Sequence, residues 1–369
     1  MSHVQILMKK KCGEEIVMTK PVKSLRDISW QVTEEEYRAD SALSYSTLAR
    51  YEREGFNNLD KLFDRVETAS LTFGSAVDSI ITGGQEEFDS RFIVAEFPSI
   101  PDSIVTIVRD LYKGYASKFG SLDTIPESDI IAMTEHHKYQ LNWKPETRAK
   151  VIKEKGADYY NLLFIAGDKT IVDTQTYQDI CETVKMLKNS KSTKFYFAQD
   201  NPFEPHIERL YQLKFKGTFY GVDYRNMADL IIVNHEEKWV LPIDLKTSSK
   251  PEWDFYKSFV DWRYDIQARL YWAIIRQNMD NDEYFKDFEL KEYLFIVANR
   301  RTLTPLVWEF KQSSRLSMEM SFGKKHDIIL RSPIDIGNEL HTYLSSRPSV
   351  PSGIDMEKPN DLIQWLNKL

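Results

Sequence analysis

VDYRNMADLIIVNHEEKWVLPIDLKT, residues 222–247, is the stretch on which the fold turns. Two apolar runs, ADLIIV and WVLPID, flank the polar segment NHEEK. That pattern predicts two strands joined by a turn near 234–237, a hairpin. Period-two alternation puts Asp244 and Lys246 on one face at the end of the second strand, with Leu245 on the other. An acid and a lysine in that relation are most often a structural ion pair, and alone they say little. Asp229 changes the reading. It stands 15 positions before Asp244, on the first strand of the hairpin, so the turn brings the two carboxylates together beside one lysine.

Carboxylates that close repel one another, and a divalent cation relieves the repulsion. Mg²⁺ takes oxygen ligands and keeps several waters. Two acids and a lysine around such an ion suit phosphodiester hydrolysis: the ion activates a water, and the lysine orients or helps deprotonate it and offsets charge. Asp223, in GVDY, competes with Asp229 for the second acid. Asp229 is preferred because it lies in the apolar run and because its spacing suits one hairpin.

Working outward, HIERLYQLKF (206–215) alternates and predicts a strand before the hairpin, with Glu208 as a solvent-facing residue or a contributor to the site. After Pro251 a helical stretch covers roughly 254–277, and Gln267 and Tyr271 share one of its faces at i, i+4. YLFIVANRR and LVWEF return to strands. Upstream, LSYSTLARYEREGF (43–56) predicts a helix capped by Ser44 or Ser46, and LTFGSAVDSIITGG (71–84) a second one stopped by Gly83 and Gly84. Residues 174–196 predict a helix with Lys185, Lys188 and Lys191 in a row, a solvated face or a strip that follows phosphates. The stretch 97–160 carries charge and turn residues but no clear chemistry. His136 and His137 are adjacent there and point apart, which speaks against a joint metal site. The expected fold is a mixed α/β core.

Composition sets limits. The chain has 369 residues, 42% of them hydrophobic and 28% charged, as in a soluble globular protein. No run approaches the ~20 apolar residues of a membrane span, and no signal-peptide stretch opens the chain. Two cysteines, Cys12 and Cys181, cannot build a four-cysteine zinc or iron–sulfur site and fit a reducing cytoplasm. The net charge of −7 excludes a uniformly basic surface but leaves room for a local basic strip.

GVDYRNMADLIIVN, WVLPIDLKTS and WRYDIQARLY, in this order, resemble the RecB-like branch of the PD-(D/E)XK nucleases, most of all phage exonucleases of the RecE (exodeoxyribonuclease VIII) type. The matching positions are Asp229, Asp244-Leu245-Lys246-Thr247, Gln267 and Tyr271. LSYSTLARYE resembles the family's early Ser-x-Ser helix, and LTFGSAVDSIITG resembles its F-G-x-x-x-H helix. The resemblance spans roughly 43–312 and is vague between 90 and 200.

The resemblance implies a restriction-endonuclease-like core, a mixed central sheet flanked by helices, with helical additions at both ends. It divides the chain into a peripheral segment 1–40, one nuclease domain 41–312 (helices 43–84, a variable insert about 90–200, the core about 204–312) and a helical extension 313–369 that includes the amphipathic DLIQWLNKL. It makes Asp229, Asp244, Lys246, Gln267 and Tyr271 the catalytic set, and Asp78, Asp229, Asp244 and Leu245 the ligands of Mg²⁺, with Mn²⁺ an alternative and no iron–sulfur cluster. Asp78 stands where relatives carry histidine, so it is either a hard oxygen ligand or a cap or partner of a base. Arg225, Arg263 and Arg269 flank the motifs and are candidates for phosphate contacts, as are the three lysines. The implied activity is exonuclease digestion of linear duplex DNA that leaves single-stranded tails. The implied partners are a single-strand annealing protein and further copies of the chain, in the cytoplasm. A same-core endonuclease or single-strand nuclease shares the same site. A catalytically silent DNA-binding protein on this fold is a reading of another class, with Asp78 as its support.

Overall fold

The structure, a computed structural model, describes residues 23–312 apart from 57–58, 60–61, 64–67, 97, 200, 202 and 300, together with 331–346 and the backbone of two short strands. Those two, β1 (Ile6–Lys9) and β2 (Glu15–Met18), pair antiparallel. Then follow α1 (Glu34–Ala39), α2 (Tyr45–Glu54), α3 (Ala69–Arg91), β3 (Phe92–Val94), α4 (Asp102–Tyr115), α5 (Glu127–His136), α6 (Pro145–Ala166), β4 (Thr170–Val172) and α7 (Thr174–Asn189). The second half holds β5 (Ile207–Phe219), β6 (Val222–Asn234), β7 (Trp239–Ser248), α8 (Phe255–Asp261), α9 (Tyr264–Asp280), β8 (Glu289–Leu290), β9 (Tyr293–Asn299), β10 (Pro305–Phe310) and α10 (Pro333–Ser346). The segment DLIQWLNKL lies outside the described residues.

The fold is mixed α/β around a mixed six-stranded sheet with helices on both faces. The strand order is β10-β9-β7-β6-β5, and β8 adds to the start of β7. β5, β6 and β7 form an antiparallel meander, β9 joins β7 in parallel, and β10 returns antiparallel. Both turns of the meander have local chemical causes. Tyr220 and Gly221 both take positive φ in the two-residue turn between β5 and β6. Between β6 and β7, Asn234 Oδ1 accepts from the N–H groups of Glu236 and Glu237 and closes the turn expected at 234–237.

Alternation along the strands builds two cores. Ile231, Val233, Val240, Phe295 and Val297 face α2, α9 and α10, while Leu230, Ile232, Ile243, Leu294 and Ile296 face α3 and α7. A third core belongs to α4, α5 and α6, where Ile104, Val108, Leu111, Ile130, Ile152 and Tyr160 pack among themselves. The stretch without clear chemistry is therefore a helical unit with its own apolar interior. The insert expected over 90–200 is narrower than that, because α7 buries Ile180, Val184 and Leu187 in the main core.

Three predicted helices differ in extent. The helix begun at 71 breaks at Gly84 (φ 72) as expected, but a second helical piece continues to Arg91. The one begun at 174 stops at Asn189, seven residues short of 196. The stretch 254–277 is two helices, because Arg263 between them takes a left-handed φ of 54. No glycine or proline marks that break.

Residues 24–43, which begin within the segment 1–40 read as peripheral, pack on the sheet. Leu25 is fully buried, Trp30 N–H donates to Lys214 O, and Leu43 bridges to β6 through Asp223 O and Arg225 N–H. Glu208 ties this segment down. It accepts from Ser24 Oγ, from Leu25 N–H and from His235 Nε2. Burial alone would raise the Glu208 pKa, but the hydrogen bonds from His235 and Ser24 outweigh it and hold the value below the usual 4.5. A depressed folded value means stability that is present above the unfolded value and lost as pH falls through the folded one. Glu208→Gln is expected to cost about 1–3 kcal/mol at pH 7. The gap to the parent should shrink on acidification below pH 4.5, as read by urea unfolding at several pH values. A gap that stays constant to pH 3 overturns this account of the docking (~pH 3 lies below the carboxylate range).

Candidate active site

The ladder between β6 and β7 runs from Asn234↔Trp239 to Leu230↔Ile243 and stops. One position further on, Asp229 Oδ2 accepts from the Leu245 N–H at 2.9 Å. A side-chain carboxylate thus takes the place of a ladder carbonyl, satisfying a donor that is costly to leave unpaired. β7 continues in parallel with β9 as far as Ser248↔Asn299. The site forms where the two strands part.

Asp244 and Lys246 share the face of β7 that looks toward α9. Asp244 is 2% exposed, pairs through Oδ2 with Lys246 Nζ at 2.7 Å, and accepts through Oδ1 from Gln267 Nε2 at 2.5 Å. Lys246 Nζ also lies 4.7 Å from the centre of the Tyr264 ring. Burial alone would pull the lysine pKa down, but Asp244, Tyr264 and Asp229 outweigh it and raise the value, so the side chain stays an ammonium. Tyr271 follows Gln267 by one turn of α9 and packs its ring 6.2 Å from that of Tyr293. Burial pushes its phenol well above the usual range, and Tyr37, Asp244 and Asp229 push the same way, so it faces the acids uncharged.

Asp78 reaches the same region from α3. Gly74, one turn earlier, lets the helix pass close to β7: a Cβ there would stand 3.2 Å from Thr247 Oγ1. Asp78 Oδ2 accepts from Gln212 Nε2 at 2.8 Å. Gln212 sits in β5 opposite Asp229, at the one position where the β5–β6 register is interrupted, and its φ is 53. A left-handed conformation in a residue with a Cβ costs about 1–2 kcal/mol, and such strain gathers at functional sites. Nothing in the sequence marks Gln212, since a polar residue in an alternating strand reads as an outward-facing one.

The electrostatics link the three acids. Burial raises Asp78 to about 7, with Asp244 adding to the rise and Arg91 opposing it. Burial likewise raises Asp229 well above the usual carboxylate range, reinforced by Asp244 and Asp78. The donors are oxygens throughout, as hard divalent cations such as Mg²⁺ or Mn²⁺ require. In charge and donor type the residues present fit such an ion. Among the described residues, no three His, Cys, Asp or Glu side chains are grouped tightly enough to hold one. Each carboxylate is turned to a protein partner instead: Asp244 to Lys246 and Gln267, Asp229 to Leu245, and Asp78 to Gln212.

The flanking cations do not join this group. Arg225 donates to the carbonyls of Tyr37 and Asp40 and lies over the Tyr37 ring. Arg263 is bound by Asp265 through two nitrogens and by Glu52 through a third. Arg269 lies over the Phe310 ring with its Nε buried. The guanidinium groups of Arg225 and Arg263 are thus engaged within the protein, whereas Arg269 is half-buried with only its Nε enclosed. Lys185 and Lys188 are exposed on α7 opposite its buried stripe, and Lys191 is exposed just beyond the helix end. Asp223 is removed from the site. It accepts from Thr218 Oγ1 near the β5–β6 turn, about 20 Å along the strand from Asp229 at ~3.3 Å per residue. His137 pairs with Asp110 at 2.8 Å in the helical unit, apart from these acids.

No family model matches the chain, and no curated protein matches it. Among solved structures it is similar to a protein of Eubacterium rectale provisionally named an exonuclease. The identity is 14%, the match covers 86% of this chain and 89% of that one, and the TM-score is 0.43. A likeness so distant carries no assignment, and the residues must carry it. No helix among the described residues is long and apolar enough to cross a membrane.

The raised Asp78 value has a consequence for stability. Its folded value of about 7 lies above the ordinary 3.8, so in metal-free buffer stability is fullest below the lower value and falls as pH rises toward the upper. Asp78→Asn removes that loss. In EDTA the variant is expected to be more stable than the parent at about pH 8, by on the order of 1–3 kcal/mol. The difference should vanish near pH 4. Chemical denaturation across this range reads it, and a parent that outlasts the variant at high pH overturns the account.

Proposed function

We propose that the chain is a metal-dependent deoxyribonuclease on a PD-(D/E)XK core, acting as an exonuclease on linear double-stranded DNA. One observation carries this reading. Asp229, Asp244, Lys246 and Gln267 come from β6, β7 and α9, and their hydrogen bonds and ion pair meet at two adjacent residues where β7 leaves β6. A structural ion pair needs neither a second buried acid nor a glutamine committed to the first.

Asp229 and Asp244, with the Leu245 carbonyl and Asp78, would hold the ion. When bound, Mg²⁺ or Mn²⁺ supplies an activated water and draws charge from the scissile phosphate. Lys246 is held as an ammonium, so its part is to donate to a phosphate oxygen and offset developing negative charge, not to accept a proton. Gln267 fixes the Asp244 carboxylate through Nε2. Its Oε1 is buried without a partner among the described residues and is disposed to accept from the attacking water. Tyr271 and Tyr293 close the apolar side of the site, 7% and 0% exposed, and exclude bulk solvent. Gln212 acts through Asp78, holding it toward the other acids. The single-stranded tails, the annealing partner and a homo-oligomeric assembly are expectations of the family resemblance.

Incubation of the protein with linear duplex DNA, in Mg²⁺ or in EDTA, should give degradation with metal and none without it. Asp244→Ala should lower the rate by at least ~10³-fold and Lys246→Met by about 10²–10³-fold. If Asp244→Ala digests DNA as fast as the parent, the assigned site is wrong. Rapid cutting of closed circles would overturn the exonuclease reading while leaving the nuclease one. Gln212→Gly separates positioning from folding. Strain relief and the added backbone freedom of glycine oppose each other, so its stability should stay within about 1 kcal/mol of the parent. Its metal-dependent rate should still fall about 10–100-fold, as for the loss of an outer-shell partner.

A further inference from the structure

Exposed aromatic surface lies on the connection between β7 and α9. Trp262 is 51% exposed, and Trp253, before α8, is 73% exposed. Trp262 is held in place from below. Its carbonyl accepts from Tyr45 Oη at 2.7 Å, the Tyr45 ring lies 6.3 Å from that of Tyr264, and the Tyr264 ring lies 4.7 Å from Lys246 Nζ. Two aromatic rings therefore separate the backbone of this exposed indole from the site ammonium. The next residue, Arg263, is locked in its left-handed conformation by Asp265 and Glu52, which makes the step that presents Trp262 rigid.

Above the indole sits Arg53, exposed on the last turn of α2, with its guanidinium 5.2 Å from the ring centre. Its acidic neighbours are engaged elsewhere: Glu52 binds Arg263 and Arg331, and Asp261 pairs with Lys250. Arg53 has no carboxylate partner among the described residues. A guanidinium that stacks on an indole and lacks a counter-ion is suited to a phosphate, and the indole offers an apolar plane beside it.

Resting on the nuclease reading, we infer that Trp262 and Arg53 form a subsite for one nucleotide of an unpaired DNA strand at the rim of the site, its base stacked on the indole and its phosphate on the guanidinium. Duplex bases are stacked on each other and offer no face to an indole. An unpaired strand does, and an exonuclease acting from an end keeps one beside its site. Aromatic stacking tolerates every base, which suits digestion without regard to sequence.

Binding in EDTA tests this without cleavage. The full chain is titrated into labelled oligothymidylate, a blunt duplex and the same duplex with a thymidine tail, read by anisotropy and by quenching of tryptophan fluorescence. Trp262→Ala and Arg53→Ala are each expected to weaken binding to the tailed duplex and the oligomer about 5- to 100-fold, and binding to the blunt duplex less than about twofold. Trp262→Phe should keep most of the affinity, which separates stacking from folding. Tyr220→Ala, which removes an 89% exposed ring at the β5–β6 turn, should change nothing. Tailed binding by Trp262→Ala within about twofold of the parent overturns the subsite (~0.4 kcal/mol is too small for a lost stack). Equally tight, Trp262-dependent binding of an oligouridylate overturns DNA as the occupant. If Trp262-dependent binding holds while metal brings no digestion, the nuclease reading fails and the subsite stands. Digestion without Trp262-dependent binding is the reverse case.

Discussion

The N–H of Leu245 has no ladder partner on β6, and the carboxylate of Asp229 accepts it. That bond couples sheet geometry to site chemistry. Because Asp229 does the work of a ladder carbonyl, β7 can leave β6 without stranding a donor in the interior. Beyond that point β7 pairs only with β9, and Asp244 and Lys246 project from its face toward Gln267 on α9. Asp229 is held beside Leu245 by that bond, so its repulsion from Asp244 and Asp78 is built into the fold. The arrangement is poor for stability on its own account, which argues that the acids are there for a ligand of opposite charge.

The rest of the molecule supplies the rigidity that this cluster needs. Both faces of the sheet are covered, by α2, α9 and α10 on one side and α3 and α7 on the other. The residues around the acids are therefore fixed from behind. The left-handed Gln212 in β5 and the left-handed Arg263 before α9 are each over-determined by their bonds: Gln212 to Asp78, and Arg263 to Asp265 and Glu52. Local strain persists where surrounding structure leaves no alternative. α10 contributes as well, through Glu339, which accepts from Tyr51 on α2 and pairs with Arg331.

What could be read in advance follows from the range of the forces involved. The strand-turn-strand pattern around NHEEK is local, and Asn234 closes the turn with its own side chain. The common face of Asp244 and Lys246 follows from the pleat alone, and the approach of Gln267 from helical spacing plus burial. Gln212 could not be read, because its conformation is set by Asp78 more than a hundred residues away. The break at Arg263 was hidden for a similar reason: a left-handed arginine is tolerated only because two acids hold its side chain, and one of them, Glu52, lies on another helix. The three flanking arginines were read by their charge, whereas their environment is decided by contacts with Tyr37, Asp265 and Phe310.

The fate of those arginines bears on how such a protein would hold its substrate. With a net charge of −7, and with Arg225 and Arg263 engaged within the protein, a continuous cationic track through the site is not available from these residues. Affinity for nucleic acid ordinarily leans on phosphate neutralisation and is lost steeply with salt. Here the exposed cations near the motifs are few, and the one over Trp262 acts together with an aromatic plane. Stacking is short-ranged and needs an unpaired base, so it discriminates by strand state more than by sequence. On the reading proposed above, a site built that way would recognise a DNA end by its frayed or tailed strand and would bind continuous duplex poorly. That is the selectivity an exonuclease requires, and it is reached without a basic surface.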